Sequence, residues 1–420
     1  MDSFLIEGGV PLRGDVIIGG SKNAVLPILA AALLTKDPCT IRRVPDLSDV
    51  RFMLEILKSL GAETRFEDGT VTIRAAKVKG FGDYELIRKM RGSICILGPL
   101  LARFGQARVS LPGGCVIGTR PIDLHLKGLA ALKTKIKIEN GYIDARVRRL
   151  TGSTVFLGGR AGPTVLGTAN VMMAASLAKG ITVIESAACE PEVSDLAQCL
   201  VSMGARIHGI GSPTLTITGV EELHGTDYEV IPDRIEACTF ICAAAATRGD
   251  VIIHGSRPEH FAAVLDKLIE AGVRIERKAG TLRVTRPGRL KPTDITTMPY
   301  AGFPTDVQAQ FMALISLAPG TSVITERIFE SRFMHVAELM RMGADVAIEG
   351  PNAIVKGGRG LSAAPVMASD LRASAALVIG GLAARGKTQV HRIYHLDRGY
   401  ERMEEKLRGL GARISRVAGE

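Results

Sequence analysis

The chain contains no tryptophan and only 6 tyrosines, and aromatic residues make up 4% of its 420 positions. Binders of single-stranded nucleic acid rely on aromatic platforms for base stacking, so that class is disfavoured. No run of five or more like charges and no basic tail is present. The net charge of +10, from 53 basic and 43 acidic residues, therefore suits small anionic ligands better than a polyanion. No CxxC occurs, and the seven cysteines (Cys39, Cys95, Cys115, Cys189, Cys199, Cys238, Cys242) are odd in number and scattered. Free thiols in a reducing compartment are expected. Cys238 and Cys242 lie four apart, but no His or second pair supports metal binding, so they read as small buried hydrophobes. HExxH, DxDxDG, Walker A and a GxGxxG following a strand are all missing, so neither a metal nor a bound cofactor is expected. Apolar stretches such as Ala24 to Leu34 are too short to span a bilayer. Met1-Asp2-Ser3-Phe4-Leu5 lacks the basic start of a signal peptide. A cytoplasmic protein with no membrane insertion and no nucleic-acid partner is the expectation.

What is abundant is small and aliphatic. Hydrophobic residues reach 46% and there are 47 glycines. Cutting the chain at its glycines exposes a repeat. One element is an apolar helix, a short turn and a Val/Ile strand, at Ala24–Ile41, Ile94–Val109, Val171–Ile184, Ala237–Ile253, Phe311–Ile324 and Ala373–Val390. These helices are apolar nearly all round and should be buried. The second element is a one-faced helix stopped by glycine: Leu60-Gly61-Ala62, Met203-Gly204-Ala205, Ala271-Gly272-Val273, Met342-Gly343-Ala344 and Leu410-Gly411-Ala412. A sixth copy, Leu132-Lys133-Thr134-Lys135-Ile136, has lost the glycine. Copies recur about every 70 residues, too long for a solenoid unit and right for a compact α+β subdomain. The α/β architecture expected is two domains of three units each, residues 22–231 and residues 1–21 plus 232–420. The N-terminal strand, Phe4 to Ile6 and Val16 to Ile18, is expected to complete the last unit's sheet.

Charge at the helix starts separates the halves. Asp233, Asp306 and Asp370 open the buried helices of the second half, as ordinary caps would. In the first half Lys22 and Arg91 stand there instead, each opposing the helix dipole by about 0.3–1 kcal/mol. A side chain bending into water would explain this. An anion bridging the cation and the helix end explains it better.

Leu111-Pro112-Gly113-Gly114-Cys115-Val116-Ile117-Gly118-Thr119-Arg120 places a thiol in a glycine-rich loop five residues before a guanidinium. Glycine lets such a loop bend sharply, and a nearby cation favours thiolate. An unperturbed thiol is mostly protonated at neutral pH, so Cys115 could donate a proton or, with its pKa lowered by Arg120, act as a nucleophile. The bland reading is an inert loop cysteine.

Together these stretches resemble the enolpyruvyl transferase family. The resemblance is carried by Lys22-Asn23, Arg91, the Cys115 loop with Arg120-Pro121-Ile122-Asp123-Leu124, and Glu190-Pro191-Glu192. It continues through Pro232-Asp233-Arg234-Ile235-Glu236-Ala237, Phe303-Pro304-Thr305-Asp306, Glu330-Ser331-Arg332-Phe333, Ser369-Asp370-Leu371-Arg372 and Asp397-Arg398-Gly399. It implies two inside-out α/β domains closing over a cleft, with phosphoenolpyruvate and UDP-N-acetylglucosamine as substrates and phosphate as the leaving group. It places Lys22, Arg120 and Arg398 on phosphoenolpyruvate, with Arg91 at the same cluster or on the nucleotide sugar. Asn23, Arg120 to Leu124, Asp306 and Ile328 fall at sugar-nucleotide positions. Cys115 takes the place of the proton donor, the cysteine that fosfomycin labels in such enzymes. Asp306 is the candidate base, with an N-cap as its alternative. Arg234, Arg332, Asp370 and Arg372 read as an ion-pair network in the cleft wall.

The chain departs from the family pattern at Gly162-Pro163-Thr164-Val165-Leu166-Gly167-Thr168. There Thr164 and Val165 can still offer a hydroxyl and backbone groups, while Leu166 replaces a glycine. Two other functions compete: transfer to shikimate 3-phosphate on the same fold, and non-catalytic binding of a nucleotide sugar or RNA.

Overall fold

The computed structural model describes residues 2–79, 90–111, 122–278, 280–330 and 332–419. They form two compact units, one of residues 2–19 with 232–419 and one of the described residues from 20 to 231. Each unit has its own hydrophobic core.

In the unit 20–231 the helices are α1 (Lys22–Ala31), α2 (Ser48–Ser59), α3 (Leu97–Phe104), α4 (Asp123–Ala131), α5 (Val165–Ala175) and α6 (Pro191–Ser202). The other unit holds α7 (Arg234–Ala246), α8 (Ala262–Glu270), α9 (Gln308–Ile315), α10 (His335–Arg341), α11 (Leu371–Ala383) and α12 (Met403–Gly409). The helices expected to be buried are so. Every residue of α7 and α9 is buried, as is all of α1 beyond Asn23. The helices between them are one-faced. In α2, Val50, Met53, Leu54, Ile56 and Leu57 turn inward while Arg51, Glu55 and Lys58 face water. With so few aromatics, close backbone approach does part of the packing. A Cβ at Gly98 on α3 would come within 2.3 Å of the Asn170 carbonyl oxygen on α5.

The glycine stops close alike. Gly61 lies at φ +102, donates to the Lys58 carbonyl, and lets Ala62 donate back to Leu57. Gly204, Gly272, Gly343 and Gly411 repeat this left-handed Schellman geometry. The sixth copy keeps it without glycine. Lys133 adopts φ +72, and Thr134 donates to Leu129 at 3.3 Å.

Five of the six buried helices feed an inner strand of a four-stranded sheet, whereas the strand after α3, Gln106–Ser110, lies at the edge of a three-stranded one among the described residues. In one four-stranded sheet, Gly320–Thr325 lies between a parallel partner, Ile295–Thr296, and an antiparallel hairpin of Asp345–Glu349 and Asn352–Gly357. The chain's start fills two gaps in this scheme. Ser3–Glu7 pairs with Lys387–His391 and Arg413–Val417, completing the last sheet as expected. Arg13–Ile17 does not join it; it runs parallel to Asp250–His254 in the sheet that follows α7. Pro11 and the open turn through Gly8 and Gly9 part the two strands, so each joins a separate sheet, the first between two strands and the second at an edge. Asp227–Glu229 plays the matching part in the other unit, parallel to Cys39–Arg42.

Candidate functional site

The described residues among those singled out in the unit 20–231 sit at helix starts. Lys22 and Asn23 are the first two residues of α1, whose N-cap, Ser21, makes no side-chain cap bond. Arg91 opens a 3-10 turn over Arg91–Ile96 that leads into α3 and packs against both α1 and α5. Lys22 does not simply bend into water: its Nζ lies 2.8 Å from Asp49 Oδ2, and the Asp49 side chain is 4% exposed. Asp49, near the start of α2, was not picked out by sequence, because an acid in a first helical turn is ordinary. Thr164 caps α5, its hydroxyl oxygen accepting from the Gly167 N–H at 3.2 Å, so part of its hydrogen-bonding capacity is spent within the helix. Val165 is the first residue of that helix.

Ile122, Asp123 and Leu124 form the start of α4. Behind them His125 is buried, its Nδ1 3.0 Å from Asn170 Nδ2. The Asn170 amide also donates to the Ile94 carbonyl, and its oxygen accepts from Gly98 N–H. This tie joins the Arg91 turn, α3, α4 and α5. Burial, helped by the Arg91 charge, pushes His125 down to about 4, so it is neutral near pH 7. Cys115, Arg120 and Pro121 lie outside the described residues. The Cys39, Cys95 and Cys242 thiols are buried and pushed up, to about 11 for the first and about 12 for the others, mainly by burial. Cys199 and Cys238 are raised for the same main reason. Such thiols are inert as nucleophiles at neutral pH.

In the other unit the centre is Asp306. It is not an N-cap like its two counterparts. Asp233 accepts from the N–H groups of Ile235 and Glu236, and Asp370 from those of Arg372 and Ala373. Asp306 lies instead inside a 3-10 turn over Thr305–Val307, and two guanidinium groups claim its carboxylate. Arg332 Nη1 is 2.8 Å from Oδ1 and Arg372 Nη2 is 3.1 Å from Oδ2. Both arginine side chains are nearly buried while Asp306 keeps 26% exposure. Burial works against the Arg372 charge, but Asp306, Tyr400 and Asp233 outweigh it and hold the guanidinium above its ordinary pKa. A carboxylate gripped this way presents a fixed, directional hydrogen-bond acceptor.

Of the four residues expected to form an ion-pair network, Arg332 and Arg372 pair with Asp306, Asp370 serves as a cap, and Arg234 lies over the Tyr300 ring at 5.7 Å. Arg398 ends a 3-10 turn over Ile393–Arg398 that packs on α11. Tyr400, two residues on, is buried and ties three helices together. Its hydroxyl meets Thr239 Oγ1 on α7 at 2.9 Å, Gln310 Nε2 on α9 at 3.2 Å and Arg372 Nη1 on α11 at 3.2 Å. Ile328 donates its N–H to Glu326 Oε1 at 2.8 Å. Sequence reading passed over Tyr400 and Glu326. A lone tyrosine after a glycine and an acid at the end of a strand carry no motif. Among the described residues no group of three His, Cys, Asp or Glu side chains could hold a metal, and no helix is long and apolar enough to cross a membrane.

The model of one protein family, EPSP synthase (3-phosphoshikimate 1-carboxyvinyltransferase), matches residues 6–407. A protein from Methylacidiphilum infernorum (isolate V4) named UDP-N-acetylglucosamine 1-carboxyvinyltransferase is 56% identical over 417 residues, covering 99% of both chains. Among solved structures, the enolpyruvyl transferase NikO from Streptomyces tendae superposes with a TM-score of 0.91 at 27% identity, covering 100% of this chain and 99% of that one. EPSP synthase from Acinetobacter baumannii shares the fold, with a TM-score of 0.76 at 18% identity over the whole of both chains. The end-to-end match in sequence and fold makes this chain a member of the EPSP synthase family of enolpyruvyl transferases.

Proposed function

We propose that the protein transfers the enolpyruvyl group of phosphoenolpyruvate to the 3-hydroxyl of UDP-N-acetylglucosamine and releases phosphate, the first committed step of peptidoglycan synthesis in the cytoplasm. The observation that carries this reading is the 56% identity, over 99% of both chains, to a relative bearing that name. Asp306, gripped by Arg332 and Arg372, supplies the acceptor that such an alcohol needs.

The reaction needs a proton delivered to the methylene carbon of phosphoenolpyruvate while the alcohol oxygen attacks the neighbouring carbon. A tetrahedral ketal forms. It collapses when the methyl group loses a proton and phosphate leaves with the C–O bonding electrons. Cys115 is the proposed proton donor. Lys22, Arg120 and Arg398 bind phosphoenolpyruvate and stabilise the charge that builds on the departing phosphate, with Arg91 in the same role or on the nucleotide sugar. Asp306 accepts the hydroxyl hydrogen of the sugar, orienting its oxygen and drawing off the proton as the new bond forms. Asn23, Pro121, Ile122, Asp123, Leu124, Thr164, Val165 and Ile328 contact the sugar nucleotide. With the Thr164 oxygen already bonded to Gly167, its hydroxyl hydrogen and the nearby backbone are what it can offer.

Incubation with both substrates should release phosphate stoichiometrically with an enolpyruvyl UDP-sugar, and shikimate 3-phosphate should give none. Product from shikimate 3-phosphate alone would reverse the choice of acceptor. No phosphate with either would favour a binding protein. Cys115→Ser should cost about 100-fold to 10,000-fold in turnover, the range for a general acid. It should also abolish covalent labelling by fosfomycin. Full activity in that variant would remove Cys115 from its role.

A further inference from the structure

We propose that Thr305 and the buried Glu326 carboxylate form a positioning pair that sets Arg332 on Asp306, and so fixes the direction from which Asp306 meets the acceptor hydroxyl. The consequence for turnover rests on the transfer reading above; the geometry does not.

Glu326 follows the strand Gly320–Thr325 and is 0% exposed. Among the described residues no cation lies within ion-pair distance of it. A carboxylate held out of water without a counter-ion is costly unless its lone pairs are filled. Here neutral donors fill them. Oε1 accepts from the Thr297 hydroxyl at 2.7 Å and from the N–H groups of Ile328 at 2.8 Å and Phe329 at 3.1 Å. Oε2 accepts from the Thr305 hydroxyl at 2.8 Å.

That last bond has a directional effect. A threonine hydroxyl has one hydrogen and two lone pairs. With its hydrogen committed to Glu326, Thr305 can only accept from its other side, where Arg332 Nη1 donates to it at 2.9 Å. The same Nη1 lies 2.8 Å from Asp306 Oδ1. Glu326 also steadies Arg332 from a second direction. It fixes the backbone of Phe329, and the Phe329 ring lies 5.6 Å from the Arg332 guanidinium carbon. Reversing the polarity of the Glu326–Thr305 bond would release the hydroxyl hydrogen, so that nothing any longer keeps a lone pair turned toward the guanidinium, which donates only.

Glu326→Gln is such a reversal, because its amide can donate to Thr305. Thr305→Val removes the hydroxyl at constant shape, and Thr305→Ser restores it. Each variant is compared with the parent in kcat, in KM for both substrates, and in thermal midpoint. Thr305→Val should lower kcat about tenfold to a hundredfold, the cost of a misplaced group, with KM for phosphoenolpyruvate little changed. Thr305→Ser should recover most of that loss, and Glu326→Gln should fall with Thr305→Val. A folded Thr305→Val protein with parental kcat would overturn the proposal, as would a serine variant no better than the valine. If Thr305→Val does not fold, Thr305→Ala is read by the same criteria.

The side-chain NMR signals of Arg332 in the ligand-free protein decide the geometry apart from turnover. Restricted guanidinium rotation in the parent, lost in Thr305→Val or Thr305→Ala, supports the pair. Equal mobility in both overturns it, whether or not the parent is active. A parent that releases no phosphate would count against the transfer reading alone.

Discussion

The two units repeat one construction and differ in what stands at the starts of their buried helices. Where α7 and α11 begin, Asp233 and Asp370 turn their oxygens onto the free N–H groups of the first turn. Where α1 begins, Ser21 makes no cap bond, its buried Oγ has no partner among the described residues, and Lys22 follows it. At α7 and α11 one unit therefore satisfies its helix ends internally. The other leaves α1 without a side-chain cap and sets a cation beside it, balanced by the buried Asp49 carboxylate. Asp306 shows the same economy broken on the opposite side. It stands near a helix start, yet arginines rather than backbone donors hold it. An anion suits the first arrangement and an alcohol suits the second.

The largest effects should come from the departures. Asp306→Ala should lower kcat about 100-fold to 10,000-fold in the phosphate-release assay, as loss of a proton acceptor does. Asp233→Ala should leave most activity intact. Equal losses in both would erase the distinction between them. Lys22→Ala takes a cation from a buried carboxylate, so it should lose stability to denaturant by up to about 3–5 kcal/mol, as well as activity. The double change with Asp49→Ala should regain stability without regaining activity. Recovery of both would make the pair purely structural.

The units should respond alike to acid. Burial, with Arg91 adding to it, drives His125 to about 4. Burial drives His335 there too, assisted by Arg332 and opposed by Asp370. Between the ordinary value of 6.5 and about 4, the unfolded chain binds more protons than the folded one, so stability rises with pH in that window. At about 1.4 kcal/mol per unit, each histidine removes up to about 3 kcal/mol as pH falls through it. Unfolding free energies measured at pH 7 and 4.5 should differ less in His335→Gln and His125→Gln than in the parent. An unchanged difference would mean that these rings already carry charge or reach water.

Smaller effects separate the caps themselves. Asp233→Ala and Asp370→Ala should each cost about 1 kcal/mol, the usual worth of an N-cap. Ser21→Ala should cost almost nothing, because its hydroxyl caps nothing. Lys133→Gly should stabilise by about 0.5–1 kcal/mol by relieving a left-handed backbone that glycine adopts freely. No gain in the melting midpoint would show that strain at φ +72 is already compensated.

The repeat was legible because it is written in local chemistry: all-round apolar helices, one-faced helices, and glycine where the chain must turn left-handed. Lys133 shows that this geometry outlasts the residue that signals it. What could not be read was pairing at a distance. Nothing near Lys22 announces Asp49, and nothing near Asp306 announces Arg372 or, behind it, Tyr400. The same limit left Asp306 open between base and cap, because its sequence context matches Asp233 and Asp370 while its three-dimensional neighbours do not. The second N-terminal strand followed that pattern too, since its sheet is completed by residues more than two hundred positions away.

The chemistry is tested most directly by running the reaction in heavy water and reading the product by mass spectrometry. Protonation of the methylene carbon followed by elimination predicts deuterium in the vinyl group of the enolpyruvyl sugar. A product formed at full rate with no deuterium on that carbon would contradict addition followed by elimination.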